Sequence, residues 1–391
     1  MGLVKRYMAE VEARGWSDDE STICSQCVTD PALVEAVRAE GGTDPCDFCE
    51  DVSAAPEASA SIEVVLELVV DGLRFEYEDP VEGMAWDDGE YVGTTHDTWD
   101  LILDLGATES TDVVRALTYA IEQDVWCQKD PYAAKPADAL RWGWEAFRMH
   151  VKHKRRYTFL VEDHSTAEGA GEIPLHAMPN AVSDSVHAGG LVVTLPKGSE
   201  WWRLRPHPAT ESYSIAAEIG TPPDKAARDN RMTPKGIGAF YGASTEKGAR
   251  DEVAGYADPA HAASIGRFTT AVPLTVVDLR DVPTVPSLFD PALRHLRPYI
   301  EFLHGFVRDV REVADPGDFQ NLDYIPTQVM AETMRYDLSA DGVLWRSSKD
   351  PSVTSCVLFI PPEEVADGGH EVDKTRLVLD PTSIAYLPPP L

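Results

Sequence analysis

Positive charge is scarce in this chain: 34 Lys and Arg stand against 66 Asp and Glu, a net charge of −32 with a pI near 4.6. The deficit is concentrated, for Arg115 is the only Lys or Arg between Glu76 and Asp124. Such a surface repels phosphate backbones and anionic bilayers, which argues against nucleic acid as a partner. Long apolar runs are missing as well. The most apolar stretch, Ile62–Val70, is short and carries Glu63 and Glu67, so it cannot serve as a membrane span. The opening MGLVKRYMAEVEARGW is charged and helical in pattern rather than a secretory h-region. Arg6 stands where a myristoylation signal needs Ser or Thr. A soluble, cytoplasmic protein with no membrane partner is the expectation. No P-loop, GxSxG or HExxH motif occurs. GIGAFYG (236–242) is spaced GxGxxxG and precedes a strand-like run instead of opening a helix, which excludes a dinucleotide fingerprint.

What is present is core-forming material: 391 residues, 43% hydrophobic, with 9 Trp, enough for two to three domains. Of the 6 cysteines, Cys24, Cys27, Cys46 and Cys49 form CxxC-x18-CxxC. Each CxxC knuckle turns two sulfurs toward one point, and two knuckles complete a tetrahedron suited to zinc. Without an export signal, Zn2+ is expected over two disulfides or four idle thiols. Four protein ligands leave no open position, so the site reads as structural. Cys127 and Cys356 stand alone and read as small buried hydrophobes.

Taken in order, a short helix over Val4–Arg14 leads into the knuckles, which flank a helical run at Asp30–Ala39. DVSAAPEASAS (51–61) reads as a linker. Helical spacing then marks Ile62–Leu73, Val113–Ile121 (with Thr111 and Asp112 as caps) and Ala137–Val151. The last of these ends in KHKRR (152–156), the only dense basic run, read as a helix C-terminus complementing the dipole rather than a phosphate contact. Beyond about Leu160 come β-like runs at 191–195, 201–205, 239–242, 274–279, 342–345 and 356–360. Helical patterns interrupt them at 246–255, 291–313 and 328–337. This is α+β order, not βαβ alternation. The divisions expected are 1–52 for a zinc module, 60–160 for a small helical domain and 180–375 for a catalytic domain. Arg297 and His304 have the Arg-x6-His spacing of a HEPN ribonuclease motif, but so short a match reads as structural.

Within the last third, WRLR, RMTPKGIGAFYG, ARDE and DGVLWRSS, in that order, resemble the RES domain family. The matching positions are Trp202–Arg203, Arg231–Gly236, Tyr241, Glu252 and Gly342–Ser347, with Trp345 where the family usually has Tyr. VVDL (276–279) and DYIPTQVMAE (323–332) add to the likeness. The knuckles and helical section resemble the N-terminal HEPN/RES region found on longer members. The resemblance implies an ADP-ribosyltransferase-like fold that degrades NAD+ by phosphorolysis or hydrolysis. It also implies a toxin or defence effector, often held by an antitoxin partner.

The residues make chemical sense of that implication. NAD+ carries its own cationic leaving group, so nicotinamide departs without a general acid. The need is to stabilise an oxocarbenium-like centre and to fix its position. Glu252 can supply the negative charge. Arg203 and Arg231 can grip a pyrophosphate bidentately, which Lys cannot copy. Tyr241 offers a ring face to nicotinamide, and Ser347 a hydrogen bond for orientation. An arginine-rich pocket also suits phosphate as nucleophile. Two other readings stand beside this one: ADP-ribosyl transfer to a macromolecule, and a non-catalytic zinc and nucleotide-binding adaptor.

Overall fold

The computed structural model describes residues 3–49, 57–160, 173–254, 258–311 and 322–389. They fall into two compact units, one drawn from Met1–Lys135 and Val285–Arg297, the other from Pro136–Glu168, Glu172–Thr284 and Pro298–Leu391. The knuckles and the first helices thus share one unit, and the helix expected at 137–151 belongs to the other. Among the described residues no helix is long and apolar enough to cross a membrane.

In the first unit, helices at Leu3–Arg14, Pro31–Glu40, Ile62–Glu76 and Thr111–Ala120 follow the periodic runs. Their apolar stripes (Leu33 and Val37; Val65, Leu66 and Val69; Val113 and Leu117) meet in one core with Trp126 and Phe289. A fully buried side chain of this size contributes roughly 1.5–3 kcal/mol, so packing rather than helix propensity holds the unit. Asp30 caps the second helix by accepting from the amides of Ala32 and Leu33, and Gly41 closes it at φ 65°. The fourth helix is capped by Ser110, not by Thr111 or Asp112. A cap must still be extended while its oxygen takes an amide two or three residues on. Ser110 alone meets this, with ψ at 115° and a bond from the Val113 amide. The expected linker is also corrected. Residues 51–56 lie outside the described residues, but Ser59–Ser61 is a strand paired antiparallel with Thr22–Cys24. Small residues suit this strand because Ser59 and Ala60 are buried there.

The second unit contains helices α1 (Pro136–His153) and α2 (Met178–Ala188), then strands β1 (Val192–Leu195), β2 (Glu200–Pro208) and β3 (Phe240–Ala243). Helix α3 (Glu246–Ala254), β4 (His261–Thr270), β5 (Leu274–Asp278), α4 (Arg297–Arg311) and α5 (Tyr324–Asp337) follow. The chain ends in β6 (Gly342–Arg346), β7 (Thr354–Leu358), β8 (Val365–Asp367), β9 (Leu377–Leu379) and β10 (Ala385–Leu387). These ten strands make one curled sheet, ordered β8-β9-β4-β2-β3-β7-β6-β5-β1 with β10 also on β4. Only β5–β6 and β8–β9 pair in parallel.

Strand β4, third in that order, is the longest of four strands the sequence hides, the others being β8, β9 and β10. HAASIGRFTT lacks alternation because nearly every residue in it is buried, as a strand covered on both faces must be. Alternation elsewhere sorts two cores. Val277, Val343 and Val357 point toward α1, α2, α4 and α5. Val276, Leu344 and Leu358 point the other way, and meet Phe268, Leu377 and Leu379 where the sheet curls over. Asp309 on α4 accepts from the Trp144 indole at 2.9 Å and pairs with Arg148 at 2.7 Å, tying α1 to α4.

In the basic run that begins in the last turn of α1, Lys152 pairs with Asp323 at 2.5 Å. Arg297 is engaged by Glu76 and the Pro286 carbonyl, and His304 meets the Pro283 carbonyl at 3.0 Å. Each has a local structural partner, in keeping with the structural reading of that pair.

Candidate active site and metal centre

The four thiols of the N-terminal unit converge. Cys24 ends its strand, and the amide of Cys27 bonds back to the Cys24 carbonyl at 3.0 Å, forming the first knuckle. The second is pinned beside it, because the Thr22 amide donates to Asp47 and the Asp47 amide to the Thr22 carbonyl. Sulfur separations are 3.7 Å (Cys24–Cys27), 3.5 Å (Cys24–Cys49), 3.7 Å (Cys27–Cys46) and 3.6 Å (Cys27–Cys49). A tetrahedron with metal–sulfur bonds of about 2.3 Å has edges of about 3.8 Å. The cage therefore has the size of a four-thiolate metal site, and these side chains could hold such an ion. Burial and then the Cys24 thiol push Cys49 up to about 11. A divalent cation acts in the opposite sense, because it binds thiolate.

In the second unit, RMTPKGIG forms a turn whose glycines have distinct jobs. Gly236 sits at φ +94°, where a side chain is strained. Gly238 is needed for close approach, since a Cβ there would lie 2.3 Å from the Pro222 carbonyl oxygen. The turn is held by α5. Gln328 donates to the Asp229 carboxylate and the Asn230 carbonyl, both at 2.7 Å, and Thr327 donates to the Arg231 carbonyl at 2.6 Å. Arg231 itself donates to the Val310 carbonyl at 2.7 Å and lies over the Tyr324 ring. Removing the two short bonds in Gln328→Ala is expected to cost about 1–3 kcal/mol, readable as a lower denaturant midpoint with an unchanged slope.

Tyr241 follows on β3, half-buried, with its hydroxyl 2.9 Å from the Thr233 hydroxyl and accepting from the Met232 amide at 3.3 Å. Burial pushes its phenol well above the usual range, so it stays neutral and cannot act as a base. Its backbone carbonyl accepts from Arg203 at 2.7 Å, and Arg203 also donates to the Ile219 carbonyl at 2.8 Å. The register between β2 and β3 is Ala243↔Trp202, and the Arg203 guanidinium takes up carbonyls beyond that pair. Trp202 and Leu204 pack against Ala249 and Val253 of α3, whereas Arg203 emerges on the opposite face over Phe240.

Glu252, on α3, is the focus of a second cluster. One oxygen accepts from Ser347 at 2.8 Å and from Ser355 at 3.3 Å. Ser347 is buried directly after β6, while Ser348 is exposed. Ser355 faces Ala243 across the β3–β7 ladder, and Tyr241 faces Val357. Tyr241 and Ser355 are therefore diagonal neighbours, about 7–8 Å apart between backbones. The structure thus brings Glu252 directly to Ser347 and links Tyr241 to Arg203 and to the Arg231 turn, with one ladder step between the two clusters. Sequence reasoning missed Ser355, Thr233 and Gln328. Ser355 adjoins the run read as a strand from 356, and Gln328 lies within DYIPTQVMAE.

Chemically, this is a carboxylate fixed by two hydroxyls, one ladder step from a neutral ring and an arginine-bearing turn, on interior strands of a curled, mostly antiparallel sheet. Residues 200–380 match the RES domain, and residues 39–165 match HEPN/RES N-terminal domain 1. The chain belongs to the RES family, with the HEPN/RES N-terminal region ahead of its RES domain. No match was found among curated proteins. Among solved structures, a chain in the crystal structure of the M. tuberculosis MbcT-MbcA toxin-antitoxin complex is similar at 15% identity and a TM-score of 0.33. That likeness covers 54% of this chain and 93% of the other.

Proposed function

We propose that the RES domain is an ADP-ribosyltransferase-like catalytic domain that cleaves the nicotinamide–ribose bond of NAD+. The observation that carries this reading is the Ser347–Glu252 hydrogen bond at 2.8 Å, which joins two residues of the family pattern that lie far apart in sequence. In this reading Glu252 faces the ribose, where it stabilises positive charge developing at the anomeric carbon. Ser347 and Ser355 hold the carboxylate in one rotamer, so no reorganisation is needed when charge develops. The pyrophosphate goes to Arg231 and Arg203, with its oxygens competing for the donors that now meet backbone carbonyls. Tyr241, neutral and anchored at its hydroxyl, presents a ring to nicotinamide. The acceptor is water or phosphate. The four cysteines hold a structural Zn2+ remote from this chemistry in role, and a toxin of this kind is restrained by an antitoxin partner.

The test is to incubate the full chain with adenine-labelled NAD+, with and without phosphate, and to separate the products. Label in ADP-ribose or its 1-phosphate supports the proposal and identifies the nucleophile. Label retained on a protein or nucleic acid band points to macromolecular transfer instead. Binding of NAD+ with no product points to the adaptor.

A further inference from the structure

A groove of about 700 Å³ lies along the last turns of α4 and the segment after β5, lined by Arg280, Asp281, His304, Arg308 and Arg311 among others. Its charges do not all cancel. Arg280 is neutralised by a two-point fork to Asp278, with bonds of 2.8 and 2.6 Å. Asp281 is taken by both carboxylate oxygens onto Arg346, and Asp309 by Arg148 and Trp144. Arg308 and Arg311 remain, three residues apart on one face of α4. Arg308 is exposed and makes no ion pair among the described residues. Arg311 donates one terminal nitrogen to the Leu279 and Arg280 carbonyls, at 2.7 and 2.6 Å, and its buried Nε has no partner.

Among the described residues neither guanidinium has a carboxylate partner, which is unexpected in a chain holding 66 acids and 34 bases. The helix dipole accounts for cations in the last turn of α4. It does not account for their lining one groove, where the exposed Arg308 fork is open to an anion. The cavity volume is that of a small-molecule site, and planar forks of this kind match a phosphate geometrically.

We propose that this groove is a second ligand site, for a phosphate group, with Arg308 and Arg311 as its charged donors. It does not rest on the NAD+ reading, since none of its residues is assigned to that chemistry. The group is either free phosphate or the phosphate of a small monoester, and the arms of the test separate the two.

Titrate inorganic phosphate and, separately, ribose 5-phosphate into the full chain by calorimetry at fixed ionic strength. Saturable binding is expected, weakened about tenfold in Arg308→Gln. Arg308→Gln removes no hydrogen bond or ion pair among the described residues, and its thermal unfolding serves as the fold control. Arg311→Lys, which keeps the charge but not the fork, is expected to weaken binding as well, and Glu252→Gln to leave it unchanged. Tighter ribose 5-phosphate than phosphate assigns a monoester, and equal affinity assigns the free anion. No saturable binding, equal affinity in Arg308→Gln, or loss in Glu252→Gln alone overturns the proposal.

Discussion

Glu252→Gln is expected to slow nicotinamide release by about a thousandfold, equivalent to about 4 kcal/mol of transition-state stabilisation. The substitution is nearly isosteric and keeps a carbonyl oxygen where Ser347 and Ser355 now donate. The cluster should therefore stay closed and thermal unfolding should barely move. What disappears is the charge. NAD+ supplies its own leaving group, so the enzyme's task is to meet positive charge on the ribose, and a neutral amide cannot do so. The loss should fall on kcat more than on KM, because the charge exists only near the transition state. Ser347→Ala should do less, since Ser355 still holds the carboxylate. A Glu252→Gln enzyme with full kcat would assign the carboxylate to structure alone.

The second large effect concerns the metal centre. The purified chain is expected to carry one Zn2+, and its removal by a chelator should lower the unfolding temperature of the N-terminal unit sharply. Structural zinc supplies apparent binding energies of about 10–16 kcal/mol in small domains, more than a unit of this size gains net from folding. Here the knuckles also anchor a strand: Cys24 pairs with Ser59, and the Thr108 hydroxyl donates to the Cys27 carbonyl at 2.6 Å. Loosening the cage should thus release contacts reaching as far as residue 108. Cys24→Ser should reproduce the effect without a chelator. Metal content by mass spectrometry and a melting curve check both points. A chain without bound metal, whose melting is indifferent to chelation, contradicts the assignment.

Much of this was legible in the sequence because its signals are local. CxxC spacing fixes four sulfurs within two turns, and most of the longer helices announce themselves by 3.6-residue periodicity, although Met178–Ala188 and Thr98–Asp104 do not. The Glu252–Ser347 contact was legible only through the ordered RES motifs. Spacing cannot bring together residues 95 positions apart, and the register that selects Ser347 over Ser348 comes from the family pattern. What escaped did so for physical reasons. β4 is buried on both faces and so has no alternation. Ser59–Ser61 has a linker's composition, yet it pairs because small residues fit beside the knuckles. The side of β2 on which Arg203 emerges depends on strand register, which composition does not encode. Gln328 acts through one carboxylate and one backbone carbonyl of the turn, a role with no sequence signature.

The measurement that bears most directly on the account is nicotinamide release from NAD+ by the purified, zinc-loaded full chain, free of bound partner proteins. Many turnovers per chain, abolished in Glu252→Gln, is the predicted result. Intact NAD+ after prolonged incubation, both with and without phosphate, would contradict it.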